Sequence, residues 1–144
     1  MDADETIVLK KYSQVGSLKN ISQAYAQSLS KVTGAMVCVA DRDEIIAAAG
    51  KNHKNYIGKA LSKELENIMD KRKSALYSKK DDTLIPVVKD DKVDCEAQAI
   101  AVIVHDGDSA GAVILCTFDE KADKSEIAEK LAGAAAEFLA DQLG

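Results

Sequence analysis

The chain has 144 residues, of which 47% are hydrophobic and 4% aromatic, and its formal net charge is −5 at pH 7. This length suits one folded domain, and the acidic balance argues against binding nucleic acid through bulk charge. No apolar run is long enough to cross a membrane, and three cysteines suit a reducing cytoplasm better than a disulfide framework. We therefore expect a cytoplasmic protein without a membrane partner.

Basic residues are concentrated in the middle of this acidic chain. Residues 51–80 carry nine basic and three acidic side chains, whereas residues 81–144 carry five basic and fifteen acidic ones. The basic cluster Lys71–Lys73 has two interpretations: cations favoured at the end of a helix by its dipole, or a surface facing an anionic ligand or DNA. Among the acidic residues, Asp90 and Asp91 are predicted to lie in a solvated loop.

The N-terminal segment is predicted to contain an isolated strand and a helix. Thr6–Leu9 is β-prone but has no turn and no partner strand nearby in the sequence. A helix is predicted over Ser17–Thr33, because Ser17 is a suitable N-cap, apolar residues recur on one face, and Gly34 can end it.

Two hairpins and a capped helix are predicted in the middle of the chain. The strands Met36–Ala40 and Glu44–Ala49 form the first hairpin, and a helix follows Ser62, its N-cap. The strands Gln98–Val104 and Ala110–Phe118 are long and apolar, and a glycine-containing turn between them predicts the second hairpin.

Two short strands are predicted before the second hairpin, over Ala75–Tyr77 and Thr83–Val88. Pro86 has no N–H to donate, so it would place the second of these at a sheet edge. The order of elements shows no strand–helix–strand alternation with phosphate-binding glycines. It therefore indicates an α+β fold with an antiparallel sheet.

The last helix is predicted from Lys124 to Leu143, with Asp123 as its N-cap. Its apolar residues form two adjacent stripes, one of larger side chains and one of alanine. One stripe suffices for packing on a sheet, so the second indicates another helix that approaches closely. The first helix is the candidate within the chain, and a second copy would complete a four-helix bundle across a dimer. The residues predicted at this interface are Ile21, Tyr25, Leu131, Ala132, Ala136 and Leu139.

Several segments resemble known families. Met36–Gly50 resembles the opening hairpin of GAF domains, Tyr56–Leu61 their Tyr-x-Gly segment, and Asp106–Leu115 their last hairpin. A narrower resemblance is to the C-terminal part of the stage V sporulation protein T family, AbrB-like transcription regulators of spore-forming bacteria. The segments that carry it are Val8–Ser13, Asp41–Asp43, Met69–Ser74, Gly111–Ile114 and Phe138–Ala140.

This resemblance implies a GAF-like antiparallel sheet flanked by helices, with the terminal helices in a bundle. In that family, an upstream swapped-hairpin domain binds DNA, and the GAF domain senses a ligand and assembles the oligomer, a dimer or tetramer. Residues 1–13 are then expected to be a linker remnant, and residues 14–144 the sensor and oligomerisation domain. Met1 is expected not to be the natural start of the protein. DNA is expected to be contacted only through the upstream domain, and the full-length protein is expected to activate or repress transcription.

The ligand, or any cofactor, is unknown, because the signatures for cyclic nucleotides, bilin and haem are not apparent. A pocket would lie between the sheet and residues 51–73, since that helical segment is not committed to the terminal bundle. The predicted lining residues, which simple filling of the core explains equally well, are Tyr56, Ile57, Leu61, Leu65 and Met69.

Catalytic and metal-binding patterns are weak. Cys38 and Cys116 lie in apolar strands and are predicted to be buried, whereas Cys95, in a charged loop, is predicted to be the most exposed. His53 and His105 have no nucleophile at a recognisable spacing and are predicted to be exposed loop residues. No spacing typical of a zinc site is present, so no metal is expected.

These patterns favour a non-enzymatic regulatory domain, which binds a small molecule or dimerises and transmits that state to an attached DNA-binding domain. A purely structural oligomerisation module with a collapsed pocket is the first alternative. A redox enzyme similar to methionine sulfoxide reductases, using Cys95, is the second.

Overall fold

The computed structural model describes residues 3–118 and 125–143 of the chain. Within these residues, a single sheet is combined with three α-helices and one short 3-10 turn at His53–Asn55. Asp123 and Lys124, the predicted start of the last helix, lie outside the described residues. The elements are α1 (Ala3–Thr33), β1 (Met36–Ala40), β2 (Ile45–Ala49), α2 (Lys63–Lys71), β3 (Ala75–Ser78), β4 (Ala97–His105), β5 (Asp108–Thr117) and α3 (Ser125–Leu143).

The sheet has five strands in the order β2-β1-β5-β4-β3, and the neighbouring strands pair in antiparallel fashion. The predicted α+β class and both predicted hairpins are confirmed. The turn of the second hairpin is tighter than expected, because Asp106 and Gly107 both have positive φ angles, 51° and 82°. Two such residues between antiparallel strands match the twist of a two-residue hairpin.

The first helix is longer than predicted, and the strand predicted over Thr6–Leu9 is wrong. Backbone from Ala3 to Thr33 is continuously helical, so Ser17 lies inside α1 and does not begin it. A short β-prone run without a partner strand cannot pair its backbone groups, whereas extending a helix adds one hydrogen bond per residue. The predicted end is confirmed: Gly34 has a φ of +75°, and its N–H donates to the Ser30 carbonyl at 2.8 Å.

The strand predicted over Thr83–Val88 is also wrong. Only Val88 forms a bridge, to Leu61, and Pro86 interrupts the donors that a ladder needs. Side chains replace the missing strand partner. The buried Gln98 amide donates to the Ile85 carbonyl at 2.7 Å and accepts from the Ile85 N–H at 2.9 Å.

The sheet is buried on both faces, and each face has its own hydrophobic core. Met36 and Cys38 of β1 belong to the core beneath α2 and residues 83–95, whereas Val37 and Val39 belong to the core beneath α1 and α3. Strand residues alternate between the two faces, so β1, β4 and β5 contribute to both cores. The two faces therefore share the same backbone.

The alanine stripe of α3 packs on the sheet. Ala128, Ala132 and Ala136 are buried in the same core as Ala99 and Ala101 of β4, so small side chains on both elements bring helix and strand close together. The sheet, and not a helix, packs on this stripe, whereas α1, the predicted partner within the chain, contacts α3 beside it through Tyr25 and Phe138. Both the helix and the strand beneath it carry small side chains at this contact.

The six residues predicted at a dimer interface divide into two groups. Ala132, Ala136 and Leu139 are buried within the single chain and offer almost no surface to a second copy. Ile21, Tyr25 and Leu131 are half-buried beside them. They lie where α1 meets α3.

The outer edge of β2 is covered by a side chain of α1. Gln23 donates from Nε2 to the Ala48 carbonyl at 2.9 Å, and the Ala48 N–H donates to Gln23 Oε1 at 3.1 Å. Further along the same edge, the Ile45 N–H donates to the Lys59 carbonyl and the Gly58 N–H to the Ile45 carbonyl. An exposed strand edge would invite pairing with another chain, and these contacts prevent it.

Replacing Gln23 by alanine is expected to destabilise the domain by about 1–3 kcal/mol, because two backbone groups of Ala48 lose their partner. Urea denaturation measures the change. Gln23→Glu is the matched variant: it keeps an acceptor for the Ala48 N–H but sets a carboxylate oxygen against the Ala48 carbonyl, so a loss at least as large is expected. Equal stability of Gln23→Ala and the unchanged protein would contradict the assignment.

Candidate ligand-binding site

A cleft of about 300 Å³ opens on the α2 side of the sheet, between residues 52–59 and the loop at residues 88–94. Its walls are mostly polar and carry both signs of charge. This composition suits a small polar ligand better than an apolar one. The lining residues are Asn52, Asn55, Tyr56, Lys59, Val88, Asp90, Asp91, Lys92 and Asp94.

Tyr56 and Asp91 join the two walls of the cleft. The Tyr56 hydroxyl donates to Asp91 Oδ1 at 2.8 Å, and the same carboxylate accepts from the N–H groups of Val87 at 2.9 Å and Val93 at 3.1 Å. Burial is the larger cause, and the hydrogen bond to Asp91 the next, of a pKa of Tyr56 that lies well above its usual range. The hydroxyl therefore stays protonated and remains a donor to the carboxylate.

Ser62 holds the start of α2 against the same loop. Its Oγ accepts from the Leu65 N–H at 3.0 Å, which confirms the predicted N-cap, and donates to the Pro86 carbonyl. The Ser62 N–H also donates to the Val87 carbonyl at 3.0 Å. One buried serine thus fixes the helix and the loop relative to each other.

The loop carries two residues with left-handed backbone. Asp90 has a φ of 63° and Val93 a φ of 42°. A β-branched residue such as valine is disfavoured in this region, so surrounding contacts must hold it there. The Asp91 carboxylate does so, because it accepts from the Val93 N–H and from a second point on the loop.

One of the five predicted lining residues, Tyr56, lines the cleft. Leu61, Leu65 and Met69 are buried in the core on this face, as the core-filling alternative expects, and Ile57 is 42% exposed. The five therefore do not form one wall.

Sequence reasoning missed the charged part of the cleft. Asp91 was predicted to be a solvated loop residue, but it is partly buried and accepts hydrogen bonds from three groups. Its pairing with Tyr56 spans 35 positions, and no local pattern indicates a partner at that distance. Lys59 and Lys92 were missed for the same reason.

All three cysteines lie in the core beneath the cleft. Burial of Cys38 and Cys116 is confirmed, but the prediction that Cys95 is exposed is wrong, since it is 4% exposed. The Cys38 thiol lies 3.1 Å from Met36 Sδ. Burial raises the pKa of Cys38, and the contact with Cys95 together with burial raises that of Cys116.

The histidines have only local partners. His53 Nδ1 lies 2.8 Å from the Gly50 carbonyl, and His105 Nε2 lies 3.3 Å from Asp106 Oδ2. Both are half-buried, so the prediction that they are exposed is wrong. In the part of the chain that the structure describes, no three His, Cys, Asp or Glu side chains are grouped to hold a metal ion.

The basic cluster Lys71–Lys73 lies at the end of α2, as the helix-dipole interpretation expects. Within the cluster, Arg72 lies 3.7 Å from Asp108, and the adjacent Asp70 pairs with Arg42 at 2.9 Å. The position of the cluster at the helix end therefore favours the helix-dipole interpretation.

The sequence can now be compared with known proteins. A family model described as stage V sporulation protein T C-terminal, transcription factor, matches residues 17–144. Stage V sporulation protein T of Bacillus subtilis (strain 168) is 35% identical over 143 residues, covering 99% of this chain and 78% of that protein. The chain belongs to the stage V sporulation protein T C-terminal family. The resemblance noted in the sequence is confirmed.

Solved structures of GAF domains share the fold. The GAF domain of an Acinetobacter phosphoenolpyruvate-protein phosphotransferase has a TM-score of 0.67 at 10% identity, covering 99% of this chain and 94% of that one. A type II free methionine-R-sulfoxide reductase from Thermoplasma acidophilum has a TM-score of 0.64 at 15% identity, covering 88% and 94%. The predicted GAF-like fold is confirmed, and with the family it identifies a regulatory domain of a sporulation transcription factor.

Within residues 3–118 and 125–143, no helix combines the length and the apolar character needed to cross a membrane.

Tyr56→Phe is expected to lower the free energy of unfolding by about 1.5–3 kcal/mol at pH 7, the usual contribution of a hydrogen bond to a charged group. The difference should shrink as the pH rises above about 10. There the unfolded tyrosine ionises while folded Tyr56 keeps its proton, so only the unchanged protein loses this stability.

Urea denaturation at neutral pH and above pH 10 measures both effects. Tyr77→Phe, on β3, controls for the removal of a tyrosine as such. An equal loss at both pH values would contradict the assigned role of the hydroxyl.

Proposed function

We propose that this chain is the ligand-sensing and dimerisation domain of a sporulation transcription regulator and has no catalytic activity of its own. The observation that carries this proposal is the shared backbone of the two cores. The cleft lies on one face of the sheet, the terminal helices lie on the other, and β1, β4 and β5 belong to both.

A ligand in the cleft would contact the loop at residues 88–94, which the Asp91 carboxylate holds in a strained conformation. A shift of that loop changes the packing around Met36 and Cys38. Since Val37 and Val39 belong to the same strand, the change reaches the core beneath α1 and α3. A ligand acts in this way only when it binds two arrangements of the domain with different affinity.

The outer surface of the terminal helices supports self-association. Ile127 and Phe138 of α3 are 57% and 39% exposed, and the Phe138 ring lies 5.2 Å from that of the half-buried Tyr25. Exposed apolar side chains next to half-buried ones are typical of surfaces covered in an oligomer. We place the contact here, and not on the buried alanine stripe, in a dimer or tetramer.

DNA would be contacted through a separate upstream domain. The acidic balance of this chain argues against DNA binding by this domain alone. A helix of 31 residues is about 46 Å long, so α1 would transmit a change at the sheet over that distance. We propose that the protein acts in the cytoplasm, whose reducing conditions suit its three free thiols.

A purely structural oligomerisation module is the second candidate function. The observation that favours it is the complete filling of the core beneath the cleft by Leu61, Leu65 and Met69. On this view the polar cleft binds nothing, and only the helical surface matters. In both candidates the lack of catalysis is proposed from the transcription-factor family alone, since an enzyme shares the fold.

Ligand binding is tested by a thermal-shift screen of small polar metabolites. At a concentration of about 100 times its Kd, a ligand stabilises the domain by roughly 2.7 kcal/mol, which raises the Tm by several degrees. Lys59→Ala, in the cleft, should abolish the shift, and Lys63→Ala, exposed at the start of α2, should keep it. A screen without any Lys59-dependent shift would favour the structural module.

Self-association is tested by sedimentation of Phe138→Lys. A lysine placed on the apolar surface should weaken the dimer at least about tenfold, because its charge must lose water on association. Glu129→Lys introduces the same side chain at an exposed position elsewhere on α3 and should leave the dimer unchanged. A monomeric parent protein at high concentration would exclude the proposed contact.

A further inference from the structure

We propose that Cys95 and Cys116 form a reversible disulfide. Because Cys95 directly follows the loop at residues 88–94, this loop would become a redox-sensitive element of the domain. The proposal concerns a modification site and goes beyond ligand sensing and dimerisation. It depends on the convergence of the thiols, on the backbone contacts beside them and on a route from solvent.

The three cysteines of the chain converge in one place. Cys38 is on β1, Cys95 is at the end of the loop, and Cys116 is on β5, yet all belong to the single core cluster beneath the cleft. All three thiols are free. Core packing alone requires small apolar side chains there but does not require three thiols.

Cys95 and Cys116 lie close together in this core, and a backbone hydrogen bond joins the chain beside them. Each thiol is near enough to shift the pKa of the other. The N–H of Glu96 donates to the Thr117 carbonyl at 2.7 Å, so the immediate neighbours of the two cysteines are joined by the backbone. The fold therefore holds the two cysteines near each other before any oxidation.

Cys95 has a route to solvent although its own exposure is small. It lines a second cleft, of about 290 Å³, together with Lys79, Leu84, Val93 and Asp94. Cys116 lies deeper, within β5. A small oxidant in the cleft would thus meet Cys95 first. The neighbouring Cys116 thiol also lowers the pKa of Cys95, which favours its thiolate.

A peroxide can act as the two-electron oxidant that forms the disulfide. The Cys95 thiolate attacks one peroxide oxygen, the O–O bond breaks, and the departing hydroxide takes a proton and leaves as water. The Cys116 sulfur then attacks the sulfenic sulfur of Cys95, the S–O bond breaks, and a second water carries away the thiol proton. Two thiols are oxidised and one peroxide is reduced, and a small thiol reverses the reaction by exchange.

The disulfide would fix the loop to the centre of the sheet. Cys95 lies four residues after Asp91, whose carboxylate holds Tyr56 and the left-handed backbone of Val93. A covalent bond from Cys95 to β5 limits how far this loop moves away from the sheet. Oxidation would therefore restrict the cleft at residues 52–59 and 88–94.

The test treats the whole chain with hydrogen peroxide, blocks free thiols and maps the peptides by mass spectrometry. The expected product has lost two hydrogen atoms and links the peptides of Cys95 and Cys116, and dithiothreitol restores the original mass. Amide exchange through global unfolding should slow roughly a hundredfold in the oxidised protein, as closing a loop of this length predicts.

Cysteine variants distinguish a link between Cys95 and Cys116 from a link that involves Cys38. Cys38→Ala should still form the link, whereas Cys95→Ala should not. Cys95 lies outside the strands, so Cys95→Ala keeps the proposal testable if Cys116→Ala, within β5, fails to fold. A link through Cys38, or addition of oxygen atoms to Cys95 without any link, would overturn the proposal.

Discussion

The structure depends on a sheet whose central strands are buried on both faces. Antiparallel sheets commonly expose one face to water and then alternate between apolar and polar residues. Here β1 is buried at all five positions and β5 at six successive ones, so the strands are continuous apolar runs. Each strand residue packs on one core while its neighbour packs on the other. A change of packing in one core therefore shifts strand backbone that also belongs to the second core.

The loop between β3 and β4 shows how a segment without a strand partner is kept in place. Gln98 takes the role of a neighbouring strand for Ile85, and Asp91 collects the donors of Tyr56, Val87 and Val93. Each of these polar groups is fully engaged, which matters because an unpaired buried group costs more than a formed hydrogen bond contributes. Order in this loop thus comes from few side chains and not from a ladder.

Local sequence signals predicted the elements whose causes are local. The Ser62 cap, the Gly34 end of α1 and the glycine turn between β4 and β5 act within a few residues, and the structure confirms each of them. The β-propensity of Thr6–Leu9 was outweighed by the continuing helix, because no strand was available to pair with it.

The candidate site was harder to predict, because its contacts join distant parts of the chain. Tyr56 was found from its motif, but its partner Asp91 looked like any acidic loop residue. Cys95 has charged neighbours in sequence, yet the loop folds it under the sheet beside Cys116. Composition near a residue reports its sequence neighbours, and burial is decided by its neighbours in space.

Gln23 has a consequence for proteins built from several β-rich units. Units joined in one chain meet at a high local concentration, at which unpaired strands readily cross-pair during folding. Because the amide of Gln23 occupies the hydrogen-bonding groups of Ala48, β2 presents no free template there to a neighbouring unit. A single glutamine thus helps keep such units folding independently of one another.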